Sequence, residues 1–164
     1  METSAKTKIV RDLENRQIKL TREFHAPVEK VWKAWTNSEI LDQWWAPKPW
    51  KAKTKSMDFS EGGKWIYAML GPNGEEHWAR ADYTEILPLK RFTDLDAFCD
   101  ENGNVNNELP VMNWRCEFKS SAKGTIVHIN ISVSNKADLE KVVEMGFEEG
   151  ISAAFENLDE LLSA

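Results

Sequence analysis

Asp94 and Asp96 lie in the alternating stretch Phe92-Thr-Asp-Leu-Asp-Ala-Phe98, so they share a strand face with Phe92 and Phe98. If that face turns inward, two carboxyls meet aromatic walls and can pair with Arg80. Such a pair can serve as acid and base, because burial pushes the two pKa values apart. The plainer alternative lays both carboxylates on the solvated convex face of a sheet. Other chemistry is missing around them. His25, His77 and His128 are scattered without HxH or HExxH spacing, so no metal site is expected. No G-x-S-x-G elbow, P-loop or G-x-G-x-x-G is present, and Gly62-Gly63 reads as a turn with a bulge. Cys99 and Cys116, in apolar strand-like surroundings and without a CxxC arrangement, read as buried free thiols. No residue announces catalysis, and no cofactor is expected.

The other informative residues are apolar. Five of the eight tryptophans (Trp32, Trp35, Trp44, Trp45 and Trp50) fall between Arg22 and Trp50. Tryptophan brings a very large apolar surface and one N–H that wants a partner. A cluster of them marks the seam of a core or the wall of a cavity.

These residues must be positioned by regular elements. Ile18, Leu20, Arg22 and Phe24 alternate, which predicts a strand over 17–24. Pro27 suits the first position of a helix, and Val28, Val31, Trp32 and Trp35 share one side of it. Thr36-Asn-Ser-Glu39 supplies capping oxygens, so a second short helix starts near Ser38 and ends before Pro47. Trp50, Ala52 and Thr54 then face one way and Lys51, Lys53 and Lys55 the other. Further strands are predicted at about 63–70, 76–87, 90–99, 110–119 and 124–134, separated by turns such as Pro72-Asn-Gly74 and Ser121-Ala-Lys-Gly124. From Ala137 to Leu162 the period becomes helical, which predicts one helix of about 26 residues, ~39 Å long. Gly146 and Gly150 fall on its buried stripe at roughly 1 kcal/mol each relative to alanine. A close approach to strands, or room left for something else, would explain them. Residues 1–15 are polar and read as a loosely attached segment, with one domain over 16–164.

Inward faces follow from alternation. Trp65, Tyr67 and Met69 form one set, Met112, Trp114, Cys116 and Phe118 another, and Val127, Ile129, Ile131 and Val133 a third, with His128 on the opposite side. In 76–87 two phases compete: Trp78, Arg80 and Asp82, or Ala79, Ala81 and Tyr83.

A net charge of −6 argues against nucleic acid as a partner, since phosphate binding needs clustered positive charge. Acid collects in 137–164, and lysine in 48–55, as solvated faces. No apolar run approaches the ~20 residues that span a bilayer, and no signal segment opens the chain, so membrane insertion is not expected and a cytoplasmic location is.

Phe24-x-Ala-Pro27, Val31-Trp32-x-Ala-Trp35-Thr36, Trp44-Trp45-x-Pro47 and Gly62-Gly63 resemble the heat-shock-protein-90 ATPase activator homologue family. So do Asp96-Ala-Phe98 before Asp100-Glu-Asn-Gly103, Gly124-Thr125, Met145-Gly-x-x-x-Gly150 and Leu158-x-x-Leu161. The match runs from about residue 17 to 163. The family belongs to the START-like (SRPBCC) superfamily. The resemblance implies an α+β helix-grip fold: a curved antiparallel seven-stranded sheet around a long C-terminal helix, two short helices after the first strand, and a deep pocket. It also implies three functional readings, in this order. The first is binding of a hydrophobic small molecule, aromatic or lipid-like, between sheet and helix. The second is a chaperone cofactor or protein-interaction module, although the co-activator owes much of its chaperone binding to a separate N-terminal domain absent from these 164 residues. The third is a polyketide-cyclase-like enzyme. For the first, the expected ligand-binding residues are Trp45, Trp65, Tyr67, Met69, Trp78, Arg80, Asp96, Phe98, Trp114 and Met145. The chain is expected to be a monomer, or a weak homodimer through a Trp50 edge beside Lys51–Lys55.

Overall fold

The computed structural model describes residues 7–163. Strand β1 (Lys8–Asp12) precedes β2 (Gln17–Phe24), helices α1 (Val28–Thr36) and α2 (Ser38–Trp44), and strands β3 (Lys51–Met57), β4 (Lys64–Leu70), β5 (Glu76–Leu87), β6 (Arg91–Cys99), β7 (Met112–Ser121) and β8 (Gly124–Ser132). Helices α3 (Lys136–Glu144) and α4 (Phe147–Leu162) end the chain. The strands form one antiparallel sheet in the order β1-β2-β8-β7-β6-β5-β4-β3, with β1 and β3 at its open edges. The helices cover one face, and this is the helix-grip arrangement.

The sheet has eight strands, not seven. Lys8–Asp12, read from sequence as part of a loose segment, pairs with β2 from Lys8↔Thr21 to Asp12↔Gln17. It carries no buried alternation, and Val10 is 59% exposed. Backbone ladder bonds hold it, together with Arg11, which forks onto Glu148 of α4 with both contacts at 2.7 Å.

The single long helix is two helices. Gly146 adopts φ +82° between α3 and α4, and its N–H donates to the Val143 carbonyl at 3.1 Å. This left-handed conformation suits glycine, which has no Cβ to clash. The apolar stripe continues across the break, which is why the sequence period alone does not show it.

The tryptophan cluster seams helices to sheet. Phe155 of α4 lies edge-on to Phe24 at 5.6 Å and against Trp35 at 5.8 Å. Trp35 meets Trp44 at 5.0 Å, and the Trp44 indole N–H donates to the Ala34 carbonyl at 2.9 Å. Trp32 fixes α1 to the sheet through Phe59, Phe92 and Phe118. Asn37 caps α2 by accepting from the Ile40 N–H, and Asn157 of α4 donates to the Ala46 carbonyl at 3.0 Å. Gly124 lets the β7–β8 turn approach the β2–α1 junction, since a Cβ there would meet the Phe24 carbonyl oxygen at 2.3 Å.

Arg22 is the fully buried cation of this core, its side chain 1% exposed. It pairs with Asp159 of α4, donates to the Glu23 carbonyl at 2.9 Å, and lies over the Phe24 ring at 5.1 Å. The two thiols are free, and their settings differ. Cys116 is buried on the inner face, whereas Cys99 is half-buried beside Trp78 on the opposite face, which corrects the expectation of a buried pair.

Candidate functional site

Between the inner face of β4–β7, the exit of α2 and the α3–α4 junction lies a cavity of about 380 Å³. Alternation puts Tyr67 and Met69 of β4 on its wall, opposite Phe98 and Asp96 of β6 and Trp114 of β7. Ala79 of β5 lies between Tyr67 and Phe98 in register, so a methyl group stands where a large side chain would fill the space. Trp45 closes one end. Its indole N–H donates to the Tyr67 hydroxyl at 2.9 Å, which leaves that hydroxyl its own hydrogen to offer. Met145, 46% exposed, stands at the rim.

Seven of the expected residues therefore meet around one cavity: Trp45, Tyr67, Met69, Asp96, Phe98, Trp114 and Met145. Three do not line it. Trp65 lies behind Tyr67, stacked on it at 4.0 Å, with its N–H donated to Thr54 Oγ1. Trp78 and Arg80 are on the outer face, because β5 turns Ala79, Ala81 and Tyr83 inward and absorbs the conflict in a register shift between Tyr83 and Glu85. Lys55 Nζ is 5.9 Å from the Trp78 ring centroid. Arg80 forks onto Asp82 at 2.7 and 2.9 Å and donates to the Gly103 carbonyl, so it pairs with neither Asp94 nor Asp96.

Other wall residues escaped the sequence reading. Phe147 and Ile151 project from α4, and Trp50 meets His77 at 5.1 Å on the cavity wall. Phe147 and Ile151 belong to the apolar stripe that predicts the C-terminal helix over 137–162. Their approach to the cavity depends on the turn at Gly146, which periodicity does not encode.

Asp94 and Asp96 face inward, contrary to the plainer sequence alternative, and are 3% and 9% exposed. Asp94 sits between Tyr83 and Trp114 in register, beside a second space of about 20 Å³ under the main cavity. Burial raises both carboxyls, that of Asp96 to about 6 and that of Asp94 further, with the nearby Asp96 charge adding to the rise. The hydrogen bond between the two raises Asp94 and lowers Asp96, so Asp96 is the member that ionises, at about 6, and the pair is negative above that. Burial and the Asp96 charge also push the Tyr67 hydroxyl well up, so it remains a neutral donor.

Gly150 faces the cavity with space around it. A Cβ there would find only Pro47 Cγ, at 4.0 Å. Gly150→Ala is therefore expected to stabilise α4 by about 0.5–1 kcal/mol, roughly 1–4 °C in Tm for a chain of this size, while narrowing the cavity. Thermal melts check this, and a fall in Tm would show that the position is crowded after all.

A sequence model of the Activator of Hsp90 ATPase homolog 1-like protein family matches residues 25–163. Among solved structures, a Mycobacterium smegmatis protein is similar at 31% identity and TM-score 0.90, over 97% of this chain and 98% of that one. An Arthrobacter aurescens protein solved by NMR matches at 31% identity and TM-score 0.89, over 95% of this chain and 91% of its own. The AHSA1 protein of Silicibacter pomeroyi shares the fold at TM-score 0.70 with 16% identity, over 90% of this chain and 97% of that one. No curated protein matches. Among the described residues no helix is long and apolar enough to cross a membrane. Family match and fold agree on one assignment: the chain belongs to the Activator of Hsp90 ATPase homolog 1-like protein family.

Proposed function

We propose that the protein binds an apolar small molecule, aromatic or lipid-like, in the cavity between its sheet and its C-terminal helices. The observation that carries this reading is the cavity itself. Its volume of about 380 Å³ falls in the range of small-molecule sites, and tryptophan, phenylalanine and methionine side chains dominate its wall. Two features of the sequence keep the space open where packing would otherwise close it: Ala79 on β5 and Gly150 on α4. Large aromatics bound it on opposite sides, so a flat ring or an alkyl chain would exchange water for close apolar contact on both faces.

The test uses a neutral probe, 1-naphthalenemethanol. By the usual efficiency of small ligands it should bind with Kd on the order of tens of micromolar. At 100-fold excess over Kd, linkage then stabilises the fold by about 2.7 kcal/mol, roughly 5–11 °C in Tm. Gly150→Leu, which pushes a side chain into the cavity, should abolish the shift. A wild-type melting temperature that the probe and its alkyl analogue 1-decanol both leave unmoved would sink the reading.

A further inference from the structure

The cavity has an unusual electrostatic make-up for an apolar site. Among the residues lining it there is no lysine or arginine, and its single carboxylate, Asp96, is nine-tenths buried. The groups that face Asp96 offer it no cation. Tyr67 comes from β4, Tyr83 from β5, Asp94 from β6 and Cys116 from β7. Asp82 adds a further negative charge from the outer side of β5. The helical wall, made by Val142, Phe147 and Ile151, is apolar. His77, at the rim, is exposed and lies tilted against Trp50. Arg80, the cation that might have answered Asp96, is turned outward and committed to Asp82.

A carboxylate buried without a counter-charge is costly unless a partner supplies one. Asp94 relieves Asp96 by one hydrogen bond, yet leaves the pair with a net negative charge, and Asp94 Oδ1 has no hydrogen-bond partner of its own. Around this charge stand the rings of Trp45, Trp50, Trp114, Phe98 and Phe147. The faces of aromatic rings carry the negative end of the ring quadrupole and attract cations. Wall and carboxylate therefore favour the same sign of charge in a ligand. The net charge of −6 over the chain biases approach in the same sense.

We infer that the cavity takes an aromatic or alkyl molecule bearing one protonated amine, seated with its ammonium against Asp96, and that it discriminates against carboxylates and other anions. This rests on the proposed reading of the cavity as a binding site. It narrows that reading by excluding free fatty acids and aromatic acids as preferred occupants. An anion would meet Asp96 with no basic side chain to hold it, whereas an ammonium ion would complete a pair that the chain leaves half made.

Three probes of one shape separate the possibilities: 1-naphthylmethylamine, 1-naphthalenemethanol and 1-naphthoate, titrated calorimetrically at pH 7.5. The amine is expected to bind at least 10-fold tighter than the alcohol, and the carboxylate at least 10-fold weaker. Asp96→Asn should collapse the amine-to-alcohol ratio to within about twofold. Should that variant fail to fold, wild-type protein at pH 5 serves instead. There Asp96 takes up a proton while the amine keeps its own, and the ratio should shrink in the same direction. Equal affinities for amine and alcohol in the wild type, or a preference that survives both Asp96→Asn and pH 5, would overturn the inference while leaving the cavity a binding site. Failure of all three probes to bind would instead overturn the binding reading on which it rests.

Discussion

Asp94→Asn is expected to make the protein more stable at neutral pH and to flatten its dependence on pH. In the native state Asp94 is held protonated by burial and by the charge of Asp96, whereas in the unfolded chain it ionises near 3.9. The native state thus binds more protons than the unfolded state across the interval between those two values. Stability must fall as pH rises through it, by about 1.4 kcal/mol per pH unit for one proton. Asp96 adds to the slope only between about 4 and about 6, where its own raised value ends the effect. The groups facing the pair, Tyr67, Tyr83 and Cys116, are themselves pushed upward and stay neutral there.

Asparagine keeps the shape and a donor toward Asp96, and it has no proton to lose. At pH 7 the variant should be the more stable protein, and its advantage should shrink toward zero near pH 4. The opposite sign applies to Asp12, Asp100 and Glu148, whose lowered values give stability present above about 4 and lost as pH falls through the folded values. Urea unfolding of both proteins at pH 5.5, 6.5 and 7.5 isolates the Asp94 contribution, because unrelated groups cancel in the difference. A variant less stable than wild type at all three pH values would contradict the assignment.

Asp159→Ala should be the most damaging surface-facing change in the chain. Its carboxylate is 29% exposed, but its partner Arg22 has a side chain 1% exposed, in the seam between β2 and α4. Removing the anion leaves a buried guanidinium with only the Glu23 carbonyl and the face of Phe24 beside it. Breaking such a pair from one side costs about 3–5 kcal/mol, whereas replacing both members by apolar groups is often nearly neutral. Arg22→Met in the Asp159→Ala background should therefore return stability to within about 1 kcal/mol of wild type. Denaturant midpoints of the two single variants and the double variant close the cycle. A loss below about 0.5 kcal/mol in Asp159→Ala would show that solvent, not Asp159, satisfies Arg22.

Both effects trace to inward side chains, Asp94 and Arg22, and the sequence showed such positions unevenly. Seven strands, both short helices and the inner sets on β7 and β8 were legible from alternation, whereas β4 is apolar on both faces and its aromatic pair Trp65 and Tyr67 marked its phase. Arg22 could be placed inward from its position between Leu20 and Phe24. Alternation failed where both faces of a strand are mixed. On β5, Trp78 and Arg80 looked as suited to a wall as Ala79 and Ala81, and only the pairing with β4 and β6 decides between them. On β6, burying two carboxylates contradicts the ordinary preference of aspartate for water. The structure accepts this by setting the two carboxyls against each other, with both pushed upward by burial, which no sequence pattern records. Strand β1 escaped because an edge strand held by its backbone has no need of an apolar face, and the turn at Gly146 escaped because the stripe resumes in phase after it.

The cavity was legible only as an expectation of the family resemblance joined to aromatic density. The residues that make it hollow are small, and alanine and glycine leave little signal in a hydrophobic pattern. That hollow is the feature on which the proposed binding depends. It is tested most directly by a two-dimensional ¹H–¹⁵N spectrum of the eight indole N–H groups during titration with 1-naphthalenemethanol. Trp45, Trp50 and Trp114, on the cavity wall, are expected to shift together with one dissociation constant. Trp32 among Phe59, Phe92 and Phe118, and Trp78 under Lys55, should hold their positions. A titration that leaves the three wall indoles in place, or moves Trp78 instead, would contradict the cavity as the binding site.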